Sequence, residues 1–323
     1  MNSKKVNWIF LSIMLVHIGM VALIRQICMG FRIELGIVPN LLLSQGMILV
    51  PALFGVLFSG EDLFRLAGFR KIKVSTIFKI LLFTFLSMPL MTLLNAISLL
   101  FVDNTVAAMS GDVLGLPFPV MLFLIGIFGQ CSEELVFRGI VYQGYRKNGT
   151  VFASMLLSAL LFALMHMNFN QAFYAMAVGI LVVLLVEATG SLWSSILFHV
   201  FFNSWQVCMM YLYGGTENGG LEEAQELLTT DMLLLVISFM LVVASVATAL
   251  AVCVLVWIAK GEQREYALRA VWADRKKKKD LEEAEKKESA VRKNRMVTVP
   301  LIIGIVLALS FMGLELVLTY LFA

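Results

Sequence analysis

Gly129-Gln130-Cys131-Ser132-Glu133-Glu134-Leu135-Val136-Phe137-Arg138-Gly139 lies inside an apolar run that extends from Pro119 to Gln143. A helix needs about 20 apolar residues, at ~1.5 Å each, to cross a bilayer core, and this run meets that length. Two adjacent carboxylates and a guanidinium are costly in lipid. Such groups face a protein interior or a wet cavity and mark function. Downstream, His166 closes one hydrophobic segment, and His199, with Asn203 four residues later, sits inside another.

The whole chain has the same apolar character. It is 60% hydrophobic and 15% charged, with a mean hydropathy of +0.90. A soluble domain of this length would be more polar, so the composition implies an integral membrane protein. The length criterion predicts nine spans, at about 7–24, 38–59, 76–101, 119–143, 151–168, 171–187, 190–212, 232–258 and 297–322. The expected fold is all-α, a polytopic helical bundle with an internal polar cavity at mid-membrane. Short joints at 168–170 and at Gly190 make the fifth, sixth and seventh spans neighbours. The apolar start after Lys4-Lys5 is too long for a signal-peptide core and reads as a retained first span.

The formal net charge of +3 argues against nucleic acid as a partner and leaves membrane lipid as the expected surroundings. Cys28, Cys131, Cys208 and Cys253 stand singly in hydrophobic segments and read as buried packing residues. The loop between Lys260 and Arg295 is rich in Lys and Arg, whereas Gly214 to Asp231 carries five acids and no base. Positive loops stay cytoplasmic, so the N-terminus is expected inside and the C-terminus outside; Arg25 and Arg32 run mildly against this. The expected units are N-terminal helices (1–118), a catalytic core (119–212), an external loop with the eighth span (213–259), a charged cytoplasmic helical loop (260–296) and a last span (297–323). Within 260–296, Glu and Lys at helical spacing read as a solvated helix that links the last span, the alternative being that Lys276 to Lys279 lie against anionic headgroups. Glu61 to Lys73 alternates charge with Leu and Phe and suits either a short interfacial segment on the cytoplasmic surface or a simple turn between the second and third spans.

Residues four apart share a helix face, so Glu134 can pair with Arg138 while Glu133, turned by about 100°, points elsewhere. A partly desolvated carboxylate free of a partner suits a general base. Phe162 and His166 share a face, as do Ser195, His199 and Asn203, with Gln206 prolonging that stripe. Glu133, His199 and His166 fall about 16, 14 and 22 Å from their cytoplasmic helix ends, within one mid-membrane layer. A carboxylate and an imidazole on neighbouring helices can bind a water and take its proton, while a His or Asn opposite donates to the oxyanion. No metal is required for that chemistry. Zinc is possible, with Glu133, His166 and His199 as ligands, but there is no HExxH pair on one helix. Cys131 has no His at helical spacing to activate it as a nucleophile.

Together, Glu133-Glu134 with Arg138, Phe162-x-x-x-His166 and His199-x-x-x-Asn203 resemble the three motifs of the CPBP family. These are the CAAX protease and bacteriocin-processing intramembrane proteases, also called the ABI family, which include the type II CAAX prenyl endopeptidases. The resemblance spans Gly129 to Trp205. It implies intramembrane endopeptidase activity of the glutamic type, with Glu133 and His166 activating water, His199 and Asn203 stabilising the oxyanion, and Glu134, Arg138 and Phe162 supporting them. It implies a membrane-associated substrate, a prenylated CAAX-type protein or a precursor peptide. The rival readings are a non-catalytic scaffold or immunity protein that binds in the same cavity, and an ion-coupled transporter. The latter calls for repeat symmetry between halves that the sequence lacks.

Overall fold

Helices begin where a short polar side chain can accept a hydrogen bond from a free backbone N–H. Asn2 accepts from Lys5, Asp62 from Arg65, Thr150 from Ala153, Asn168 from Gln171, Ser191 from Trp193 and Thr229 from Met232. The computed structural model describes residues 1–214, 229–272 and 296–322. Its helices are α1 (Ser3–Phe31), α2 (Ile37–Ser59), α3 (Leu63–Ala67), α4 (Val74–Ser98), α5 (Thr105–Ala108), α6 (Ser110–Leu114) and α7 (Phe118–Arg146). They are followed by α8 (Val151–Met165), α9 (Phe169–Thr189), α10 (Leu192–Tyr213), α11 (Thr230–Gly261) and α12 (Val299–Phe322). No strand occurs among the described residues. The fold is a polytopic helical bundle.

Helices occupy all nine expected stretches, but the count of nine spans is not confirmed. Among the described residues seven helices are long and apolar enough to cross a bilayer: α1, α2, α4, α7, α9, α11 and α12. α8 is only 15 residues long. α10 has the length, yet Ser194, Ser195, His199, Asn203, Ser204 and Gln206 make it too polar to qualify. Both helices carry candidate site residues, and both are sheltered by their neighbours. The chain is an integral, multi-pass membrane protein.

The joints fall on two opposite faces. On one, Glu61 pairs with Lys147 at 3.1 Å and with the Met1 amine, the Leu192 N–H donates to the Gly68 carbonyl at 3.1 Å, and Arg264 Nε donates to the Glu187 carbonyl at 2.9 Å. Asn7 Nδ2 donates to the Met296 carbonyl at 2.8 Å on that face too. On the other, the Tyr211 hydroxyl donates to the Leu116 carbonyl at 2.6 Å, Arg25 pairs with Glu315, and the Thr105 N–H donates to Asn170 Oδ1 at 3.3 Å. The first face carries most of the Lys and Arg of the described loops. The acidic loop 215–228 and the run Lys276 to Lys279 lie outside the described residues.

α9 docks tightly on α8. A Cβ added to Gly179 would lie 2.8 Å from Ala159 Cα, so only glycine permits this approach. The Ala175-x-x-x-Gly179 spacing thus serves a helix contact inside the chain. α9 ends at Gly190, whose φ of 73° gives the left-handed cap that turns the chain into α10. No cysteine is paired among the described residues; three are half-buried, and Cys253 is exposed on the apolar exterior rather than buried as the sequence suggested. Its helix presents that side to the bundle's surroundings, and a single apolar thiol is at home there.

Candidate active site

α7 is not wound uniformly. Over Leu122–Phe128 and Leu135–Tyr142 it opens into wider, π-type turns, and the Gly129 N–H donates to the Leu124 carbonyl five residues back. Gln130 adds a side-chain bond, Nε2 to the Ile125 carbonyl at 2.8 Å. Such turns are common at functional sites because they re-aim side chains. Gly126 lets α10 come close, since a Cβ there would lie 3.2 Å from Ser204 Cα. Between the wide turns, Gly129–Glu134 stays α-helical, so Glu133 and Glu134 diverge by about 100°.

Glu134 and Arg138 are fully buried and joined Oε1 to Nη1 at 2.8 Å. The same Oε1 accepts from His199 Nδ1 at 2.8 Å, and the Ser195 hydroxyl adjoins the carboxylate. A buried acid is thus shared between a guanidinium and an imidazole from another helix. Arg138 lies over the face of Phe162, Cζ 4.1 Å from the ring centre, which gives part of its charge a partner without water. Phe162 is the hub of the site. Its ring also meets His166 edge-on at 4.9 Å, His199 at 5.7 Å and Phe137 at 5.3 Å between centroids.

His166 caps α8, and its position is over-determined. Its Nδ1 lies 3.0 Å from the Phe162 carbonyl, and its own carbonyl accepts from Asn168 Nδ2 at 2.8 Å. Between them Met167 has a φ of 55°, which is uncommon for a residue with a side chain and costs about 1 kcal/mol. A carbonyl oxygen only accepts, so Nδ1 of His166 carries the proton and Nε2 keeps its lone pair. For His199 the bond to a carboxylate likewise puts a proton on Nδ1. The two histidines are held differently, one by a neutral carbonyl and one by an acid.

Glu133 is half-buried, makes no direct ion pair among the described residues, and stands within electrostatic reach of His166, Arg138 and Tyr174. Contacts therefore join Glu134, Arg138, Phe162, His166 and His199 into one cluster, with Glu133 beside it. Asn203 is half-buried one turn beyond His199, with no direct contact to the other site residues among the described hydrogen bonds. The arrangement offers an acceptor carboxylate, an imidazole lone pair and a buried imidazole–carboxylate pair, the groups that water activation and oxyanion stabilisation use. The zinc alternative fits less well. Among the described residues no group of three or more His, Cys, Asp and Glu side chains is gathered to hold a metal ion. Cys131 packs among Leu192, Ile196 and Ala67, and no hydrogen bond joins it to a histidine among the described residues.

Sequence reading missed Tyr174, which no motif contains; its spacing of four from Asn170 was the one available signal. It also missed Glu187, buried on α9, which accepts from the Tyr142 hydroxyl at 2.6 Å and lies 3.5 Å from Arg146.

Residues 115–205 match the family described as "Type II CAAX prenyl endopeptidase Rce1-like". The segment is similar to the Rce1-like endopeptidases. It contains every motif residue from Glu133 to Asn203. Over 91 residues the chain is also 26% identical to a Bacillus subtilis (strain 168) protein named "Putative membrane peptidase YdiL", an alignment covering 28% of this chain and 37% of that protein. The chain thus matches little more than a third of that relative's length. No solved structure matches. The Rce1-like segment takes in α7 to the middle of α10, and α1 to α6, α11 and α12 surround it.

Proposed function

We propose that this chain is an intramembrane endopeptidase that cuts a membrane-associated peptide or lipidated protein near its exposed end. The observation that carries the reading is the contrast between the two histidines. His166, tied through Nδ1 to a carbonyl, keeps a free Nε2 lone pair on a ring within electrostatic reach of Glu133. Glu133 and His166 bind one water between them and take its proton as it attacks the scissile carbonyl. His199 is suited to the opposite task. A neutral His199 protonated on Nδ1 has no donor left, so donation to an oxyanion from Nε2 uses the imidazolium form, whose Nδ1–H stays on the Glu134 carboxylate at 2.8 Å. Arg138 pairs with the Glu134 carboxylate that holds His199, and Asn203, one turn along α10, adds a second donor. The match to an endopeptidase family over 115–205 supports the reaction class.

The basic face of the bundle is the cytoplasmic one, which puts the N-terminus inside and the C-terminus outside. The core at 119–212 does the chemistry, and the flanking units at 1–118, 213–259, 260–296 and 297–323 hold it in the membrane.

The test is cleavage of membrane-anchored peptides in proteoliposomes by the wild type and by His166→Asn. Asparagine can still donate to the Phe162 carbonyl but offers no basic nitrogen, so the helix end is kept and turnover falls at least 100-fold. Turnover equal to wild type would refute the role given to His166.

A further inference from the structure

Tyr174 lies on α9, outside all three motifs, and its position follows from the α8–α9 contact. Gly179 sits against Ala159 in an antiparallel pair, so the residue five before Gly179 is level with the residue five after Ala159. Tyr174 is therefore level with Leu164, midway between Phe162 and His166. Its ring packs against the main core cluster, yet its hydroxyl makes no hydrogen bond among the described residues. Tyr174 is half-buried, and a phenol so placed normally finds a partner. Glu133 is near enough to interact with it electrostatically but is not bonded to it directly. Glu133 on α7 is thus within electrostatic reach of both Tyr174 on α9 and His166 at the end of α8.

Hydrogen-bond arithmetic defines what such a space needs. A water about to attack a carbonyl gives one proton to the Glu133 carboxylate and directs the other at the free Nε2 of His166. One of its lone pairs is aimed at the carbonyl carbon. The second is left over, and orienting the water requires a donor for it. Glu133 and His166 Nε2 are both acceptors. Arg138 bonds Glu134 through Nη1 while its Nε and Nη2 are enclosed with almost no accessible surface, His199 Nδ1 is spent on Glu134, and His199 Nε2 and Asn203 serve the oxyanion. The Tyr174 O–H remains.

We infer that Tyr174 is a further catalytic residue, whose hydroxyl donates a hydrogen bond to the attacking water and fixes its lone pair between Glu133 and His166. This rests on the hydrolytic reading above. No bond to Tyr174 forms or breaks. As the water attacks, its proton passes to Glu133, the carbonyl π electrons move to oxygen, and the phenol keeps its own proton throughout. The orientation it confers acts on the chemical step rather than on substrate binding.

The experiment compares wild type, Tyr174→Phe and Glu133→Ala in proteoliposomes on a set of quenched fluorescent peptides, farnesylated and unmodified. Tyr174→Phe keeps the ring and its packing and removes only the hydroxyl. Expected are a 10- to 100-fold fall in kcat, a KM within about twofold of wild type and an unchanged unfolding midpoint. A kcat equal to wild type, or a loss carried wholly by KM, overturns the role of Tyr174 alone, provided Glu133→Ala is inactive. No cleavage by the wild type, or full cleavage by Glu133→Ala, overturns the hydrolytic reading and this inference with it.

Discussion

Replacing Arg138 by methionine removes a charge while nearly preserving the length of the side chain. Glu134 and Arg138 are both fully buried, 2.8 Å apart, and no water reaches them. At that separation and an effective dielectric constant of about 20, the gross attraction is about 6 kcal/mol. Desolvation takes much of this back, and breaking a buried pair by removing one partner costs about 3–5 kcal/mol, because the remaining charge is stranded. Loss of the contact between the guanidinium and the Phe162 ring, at 4.1 Å, adds about 1 kcal/mol. The sum, about 4–6 kcal/mol, is a large part of the ~5–15 kcal/mol that holds a typical domain folded. The double variant Glu134→Leu/Arg138→Met strands no carboxylate and should recover at least about 2 kcal/mol of the loss. Unfolding by sodium dodecyl sulfate in mixed micelles, followed by far-ultraviolet circular dichroism on Arg138→Met, Glu134→Leu and the double variant, closes a double-mutant cycle. A cost below about 1 kcal/mol for Arg138→Met, or a double variant less stable than the single one, would refute the reasoning.

Gly179→Ala should destabilise the bundle by about 1 kcal/mol in the same assay, although alanine is the better helix former by about that amount. Its Cβ would meet the Ala159 backbone at 2.8 Å, overpacking of about 1–3 kcal/mol; a stabilised variant would contradict this. At Met167, whose side chain is buried and whose φ is 55°, both Gly and Ala lose the packing but only Gly relieves the strain. Met167→Gly should therefore be about 1 kcal/mol more stable than Met167→Ala, and the opposite order would sink the argument. With the native cysteines replaced, a membrane-impermeant maleimide should label Glu34→Cys in intact cells and leave Lys71→Cys unmodified until lysis. The reverse pattern would invert the proposed orientation.

The helices were legible because apolar length and polar caps are local properties. The α8–α9 and α9–α10 joints could be read for the same reason, since Asn168 and Gly190 act on their own helix ends. The Glu134–Arg138 pair was legible from a spacing of four, and the structure keeps it despite the wider turns of α7 beyond Glu134. What lay beyond the sequence depends on contacts between distant residues. His199 meets Glu134 across 65 positions, and Tyr142 meets Glu187 across 45. The π-type turns arise where Gln130 bonds back to Ile125 and Gly126 admits α10, which helical periodicity does not register. The span count stayed unconfirmed for a related reason. α8 and α10 are short or polar because they line the site, so the features that give them chemistry remove them from a hydropathy criterion.

The account stands on Glu133 as the group that takes the proton from water. Glu133→Gln keeps the size and polarity of a half-buried side chain that makes no direct ion pair among the described residues, so the unfolding midpoint should match wild type. Proteolysis of membrane-anchored peptides should meanwhile fall by about 10²–10⁴-fold, the range of a general base. A folded Glu133→Gln protein that cleaves at the wild-type rate would contradict the account.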